Sequence, residues 1–102
     1  MDIGRLGPKE REIYEKLRDV KDPEFGQSIV ERELIDDVKF RDGVAEVIYH
    51  LTVPFCPMPF ALFIGRQIRR KAKEVTDVEK VKVIVKDHVQ SEVINRILEK
   101  EE

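Results

Sequence analysis

The residues of this chain that could do chemistry are few. Cys56 is its one cysteine. It lies between Pro54 and Pro57, just after an apolar run and shortly before a helix that Pro59 is suited to open. Prolines remove backbone freedom and donors, and a helix N-terminus presents unpaired N–H groups and a positive dipole that favour thiolate over thiol. A thiolate in that place binds soft metals or attacks electrophiles. On spacing alone a plainer role is commoner: a small buried hydrophobe filling the corner where strand meets helix, beside Phe55, Met58 and Phe60.

Asp22-Pro23-Glu24 sets two carboxylates on a rigid turn, which could orient a metal-bound or protein-borne group if the fold brings that turn near Cys56. The blander reading, a helix stop with solvated acids, is the commoner one for an Asp-Pro turn. His50 and His88 are the two histidines. With no C-x-x-C or H-x-x-x-H pair in the chain, a dedicated zinc site is not expected, and each reads as a surface or capped histidine. The basic run Arg66 to Lys73 lies opposite an aliphatic stripe, as a solvated helix face does. There is no glycine-rich phosphate loop and no Ser/His/Asp elbow, so the sequence supports no independent catalysis.

Composition narrows the partners. Nineteen basic and 21 acidic residues leave a net charge of −2, which gives no overall field to draw nucleic acid or an anionic membrane. No apolar run approaches the roughly 20 residues that span a bilayer, and the N-terminus MDIGRLGPKERE lacks a signal-sequence pattern. A soluble, cytoplasmic protein is expected, its single thiol kept reduced. Abundant Lys and Glu with one Asn, three Gln and no Trp suggest a thermophilic origin.

The elements that must position these groups follow from periodicity. At 102 residues the chain is expected to form one domain, 1–102. Pro8 to about Val20 reads as an amphipathic helix through Ile13, Leu17 and Val20, stopped by Lys21-Asp22-Pro23. Leu34 to Phe40 and Val44 to Thr52 read as strands joined by Asp42-Gly43, a strong hairpin signal. In the second strand Ala45, Val47, Tyr49 and Leu51 alternate with Glu46, Ile48, His50 and Thr52, so one sheet face is buried and the other partly open. After the loop Val53 to Pro59, a helix carries Ile64, Ile68, Ala72 and Val75. A strand follows with Val81, Val83 and Val85, then a C-terminal helix over 89–102 marked by Val93, Ile94, Ile97 and Leu98. The fold class expected is α+β, a two-layer sandwich of order αββαβα with a small three-stranded sheet, mixed or antiparallel, and helices packed on one face.

Taken together, VKDPEFGQSIVERELIDDVKF, the hairpin, LTVPFCP, the following helix and KVKVIVK resemble the iron-sulfur cluster assembly domain family, which includes PaaD-like accessory proteins and cytosolic maturation components. The resemblance runs from about Tyr14 to Asp87. It rests on the Asp-Pro-Glu turn at Asp22 to Glu24 and the Thr-x-x-x-Cys-Pro segment at Thr52 to Pro57. Three departures stand out: Glu33 and Phe55 where the family usually has glycine, and a tail, DHVQSEVINRILEKEE, without the usual Trp and Pro-Pro ending. Phe55 beside the thiol is expected to narrow access to it. The helical tail is expected either to fold over the loop or to dock on another subunit through Val93, Ile94, Ile97 and Leu98.

The resemblance implies a factor that assembles iron-sulfur clusters or inserts them into other proteins, with Cys56 as functional thiol and metal ligand and Asp22, Glu24 and Thr52 supporting it. It implies client apoproteins and other assembly factors as partners. Clusters are usually held by four thiolates, so one chain with one cysteine holds no stable cluster as a monomer. What remains is an iron-sulfur cluster or iron held transiently, bridged within a homodimer or completed by small thiols or partner residues, or a thiol that touches the client during transfer. A metal-free protein-protein interaction module of the same fold is the competing reading, and a thiol-based enzyme the third.

Overall fold

Pro8 opens the first helix, α1 (Pro8–Lys16), where its missing N–H costs nothing. The Glu10 carboxylate turns back to accept the Gly7 N–H at 2.9 Å. Its other oxygen accepts the Phe40 N–H at 3.3 Å, which ties α1 to the first strand. The computed structural model describes residues 3–22, 26–52 and 55–101. The α-helix ends at Lys16, and a single 3-10 turn, Leu17–Asp19, carries the chain on to Val20, whose extended backbone closes it. The helical stretch expected to reach Val20 is thus two kinds of helix. Ile13, Leu17 and Val20 are nonetheless buried together, as their spacing requires.

The hairpin forms β1 (Ile35–Arg41) and β2 (Val44–Tyr49), paired antiparallel around Asp42-Gly43. Both turn residues have positive φ, 51° and 83°, the left-handed pair of a type I′ turn, whose twist matches that of the strands. Strand β2 stops at Tyr49, short of the expected Thr52, because the His50 N–H turns to the Leu34 carbonyl at 2.9 Å.

A crossover through α2 (Met58–Lys73) returns the chain to β3 (Lys80–Val85), which pairs parallel to β2 from Val44↔Lys80 to Tyr49↔Val85. The sheet, ordered β1-β2-β3, is therefore mixed. Ala45, Val47 and Tyr49 of β2 and Val81, Val83 and Val85 of β3 are buried on one face. That face carries the helices, while Glu46, Ile48, Lys82 and Ile84 lie on the more open one. The last helix, α3 (Ser91–Lys100), packs against β3 and α2. The order αββαβα and the α+β class hold.

At ten residues α3 is too short to persist in water alone. It is held by what it buries. Ile94 and Leu98 have no exposed surface, and each such side chain contributes about 1.5–3 kcal/mol. These two residues therefore serve the chain's own core, and of the four expected to cover the loop or dock on another subunit Val93 is the most exposed. Asn95 donates to the Val85 carbonyl at 3.0 Å and accepts the Val85 N–H at 2.8 Å, standing in for a fourth strand at that point of the edge. At the far end Arg66 makes a two-pronged bond to Glu101, both contacts at 2.8 Å, and Arg69 donates to the Leu98 carbonyl.

Where α2, α3 and β2 meet, Gly65 leaves room for Tyr49. The Tyr49 hydroxyl, fully buried, donates to the Ala61 carbonyl at 2.7 Å, and burial drives its pKa well upward, so it stays a donor. A Cβ at residue 65 would lie 2.9 Å from that hydroxyl and 2.9 Å from Leu98 Cδ1. Helix propensity favours Gly65→Ala by about 1 kcal/mol, yet overpacking costs about 1–3 kcal/mol, so urea denaturation is expected to show no gain and a net loss of up to about 2 kcal/mol. A gain in stability would mean that Tyr49 and Leu98 do not sit as described. Glu33, by contrast, is an exposed L-residue at φ 58°. A left-handed backbone costs a non-glycine residue about 1–2 kcal/mol, more than glycine loses in chain entropy. Glu33→Gly is therefore expected to raise the urea midpoint by the equivalent of about 0.5–1 kcal/mol.

Candidate functional site

Because β2 and β3 run parallel and end together at Tyr49 and Val85, the segments leaving them emerge side by side. One leads to Cys56 and α2, the other to His88 and α3. In open sheets with parallel strands the carboxyl ends, where connections diverge, are the usual place for a binding site.

Cys56 is a free, half-buried thiol, with its side chain against the edge of the core. It stands two residues ahead of α2, and Pro57 is that helix's N-cap. The Phe60 N–H bonds back to the Pro57 carbonyl at 3.0 Å and Pro59 has none to offer, so α2 begins tightly wound. Both readings of Cys56 keep a physical basis here: its side chain packs, and it is not sealed. Phe55 is 71% exposed, so the ring expected to narrow access lies mostly in solvent.

The carbonyl of Cys56 is held by a residue that sequence reasoning placed elsewhere. His88, expected at the surface or capped, is 8% exposed, and its Nε2 lies 2.6 Å from the Cys56 oxygen. Its Nδ1 lies 2.9 Å from the Gln90 backbone nitrogen. A backbone N–H can only donate, so Nδ1 accepts, and Nε2 carries the proton given to Cys56. Ser91 completes the corner: its hydroxyl accepts the His88 N–H at 3.0 Å and donates to the His88 carbonyl at 2.8 Å. The capping was legible in His88-x-x-Ser91, but burial depends on the parallel strand ends, which no local pattern encodes.

Asp22 is buried, with 9% exposure. Its N–H donates to the Gln27 carbonyl at 2.8 Å and its carbonyl accepts the Gly26 N–H at 2.7 Å, closing a tight loop over a Lys21–Ser28 bridge. That burial departs from the solvated helix stop that composition favours. Glu24, the other carboxylate of the turn, lies outside the described residues. Thr52 is exposed, and its Oγ1 accepts from Arg32 Nη2 at 3.3 Å, while Arg32 Nη1 donates to Gln27 Oε1 at 3.4 Å. Arg32 thus spans from the Asp22 loop to the loop that carries Cys56. It was not singled out from sequence, because only the folded path brings residue 32 against both.

His50 is occupied on the other side of the sheet. Its Nδ1 donates to Asp36 Oδ2 at 2.9 Å, and Lys86 approaches Asp36 Oδ1 at 3.7 Å. Among the described residues no three His, Cys, Asp or Glu side chains gather closely enough to hold a metal ion. Two side chains thus hold the segment from Thr52 to Cys56, His88 at the Cys56 carbonyl and Arg32 at the Thr52 hydroxyl, while the backbone bonds of Asp22 stay within its own turn.

Comparison with known proteins gives this arrangement its context. The family described as iron-sulfur cluster assembly protein matches residues 10–85. An iron-sulfur cluster carrier protein of Synechocystis is 39% identical over 69 residues, which is 68% of this chain but 19% of that protein; the chain thus spans about a fifth of that relative. An uncharacterized protein of Methanocaldococcus jannaschii is 34% identical over 93 residues, 89% of this chain and 95% of its own length. Among solved structures, a domain of unknown function from Bacillus anthracis superposes with a TM-score of 0.69 at 27% identity, over 91% of this chain and 90% of that one. A Mycobacterium tuberculosis protein associated with Fe-S complex assembly and repair shares the fold, with a TM-score of 0.51 at 24% identity over 96% and 93% of the two chains. With the family's match running from α1 to the last residue of β3 and taking in the Cys56 loop, the chain belongs to the iron-sulfur cluster assembly protein family.

Proposed function

We propose that this protein is a maturation factor that carries an iron-sulfur cluster or iron transiently, or adapts its delivery to client apoproteins, through Cys56. The observation that carries the reading is the place of that thiol: half-buried, uncombined, on a proline-bounded loop at the carboxyl ends of two parallel strands. The carrier-protein relative supports the same chemistry. Asp22, Glu24 and Thr52 are assigned the supporting role, Asp22 and Thr52 through the Gln27 and Arg32 contacts. Client apoproteins and other assembly factors are the partners, in the cytoplasm, and the protein's part is handover rather than turnover.

The cluster is cargo, and one thiolate is too few for it. Four cysteine ligands are usual, so the remaining ones come from a second copy, from small thiols or from the client. An under-ligated cluster is held weakly, which suits passing it on. The same arithmetic favours a homodimer in the loaded state, each chain giving one sulfur. The second reading, a metal-free interaction module, draws on Phe55, Phe60 and Phe63, all exposed in or just beyond the thiol loop.

Reconstitution separates the two. Wild type and Cys56→Ser, purified anaerobically and incubated with iron and sulfide, are expected to differ: visible absorption and stoichiometric iron and sulfide appear in wild type alone. Light scattering of the loaded protein is expected to give twice the chain mass. If neither protein takes up iron, and Cys56→Ser still supports client maturation, the interaction module replaces the carrier.

A further inference from the structure

The residue that holds the Cys56 carbonyl lies just beyond the stretch that the family model matches. The family's match ends at Val85. His88 follows three residues later, in the segment that leads into α3. We infer that His88 is a positioning residue for Cys56, supplied by this chain's own tail, and that its Nε2–H fixes how the thiol is presented to cargo and client. The inference rests on Cys56 being the working thiol.

The geometry makes His88 a rigid holder and the Cys56 loop the part held. His88 is 8% exposed, its imidazole is pinned at Nδ1 by the Gln90 N–H, and its backbone is bonded both ways to the Ser91 hydroxyl. The tail that carries it is anchored by Ile94, Leu98 and Asn95. On the loop side, the peptide joining Cys56 to Pro57 has no N–H, so its carbonyl is that linkage's one strong handle. Phe55 and Pro57 on either side are exposed and contribute little packing. Holding the carbonyl restricts the ψ angle of Cys56, and with it the relation of its side chain to the following helix.

Two measurements test the assignment without metal. In the wild-type protein, ring ¹⁵N signals of His88 are expected to show a proton on Nε2 and none on Nδ1; the opposite tautomer would overturn the proposal. Second, the alkylation rate of Cys56 by iodoacetamide is compared in wild type, His88→Ala and His88→Gln. Loss of one buried hydrogen bond is expected to speed the reaction about fivefold in His88→Ala. Glutamine places an N–H near the position of Nε2, so His88→Gln is expected to stay within about twofold of wild type. Equal rates in wild type and His88→Ala, or a glutamine variant as fast as the alanine one, would remove the positioning role. The ring measurement uses the unaltered protein and decides even if His88→Ala fails to fold. If all of these come out as expected while Cys56→Ser still takes up iron and matures clients, the carrier reading falls, and with it the presentation of the thiol to cargo, leaving His88 as a holder of the Cys56 loop alone.

Discussion

The parallel register of β2 against β3 is the constraint on which the site depends. Gly43, at the tip of the hairpin, accepts both the Glu79 and the Lys80 N–H through one carbonyl, at 2.8 and 3.1 Å, so the returning strand is aligned at its first residue. Six rungs later both strands end level. A shift of one residue would turn Val81, Val83 and Val85 to the open face and separate the two loops that carry Cys56 and His88. The candidate site thus rests on a choice of register made at the opposite end of the sheet.

The helices translate that register into a fixed corner. Tyr49, the last residue of β2, reaches the Ala61 carbonyl in the first turn of α2, and Gly65 one turn later lets Leu98 of α3 pack beside the same ring. One buried hydroxyl therefore ties the strand to the helix that follows Cys56, beside the glycine where Leu98 of the helix that follows His88 packs. The cost of burying a phenol is met by its single short bond. Close packing leaves no slack there for α2 and α3 to slide independently.

Much of this was legible in residue order. The type I′ turn is written as Asp42-Gly43, the buried sheet face as alternate valines, and the element order as changes of period from 3.6 to 2. Strand ends were less so: β2 stops at Tyr49 because the His50 N–H finds Leu34, a partner 16 residues back that no local preference announces. The geometry of the candidate site was legible only in part. Cys56 declares itself by its type and its flanking prolines, and Thr52 and Asp22 came with the family resemblance. Arg32 and His88 have no motif, since each acts across the fold on a residue 20 and 32 positions away. Glu33 shows the converse. Its left-handed backbone is what a glycine would relieve, so a departure visible in sequence corresponds to a measurable local strain.

The separation between Cys56 and His88 has a consequence in time as well as in space. The two are 32 residues apart, and the thiol precedes its holder. During synthesis at about 5–20 residues per second, Cys56 is made roughly 2–6 s before His88 exists. The hairpin's contacts are local and need nothing beyond Tyr49, whereas β3 and α3 cannot dock until the chain that contains them has been made. The cysteine loop is therefore completed late: both its parallel strand and its histidine come from chain made after the thiol itself.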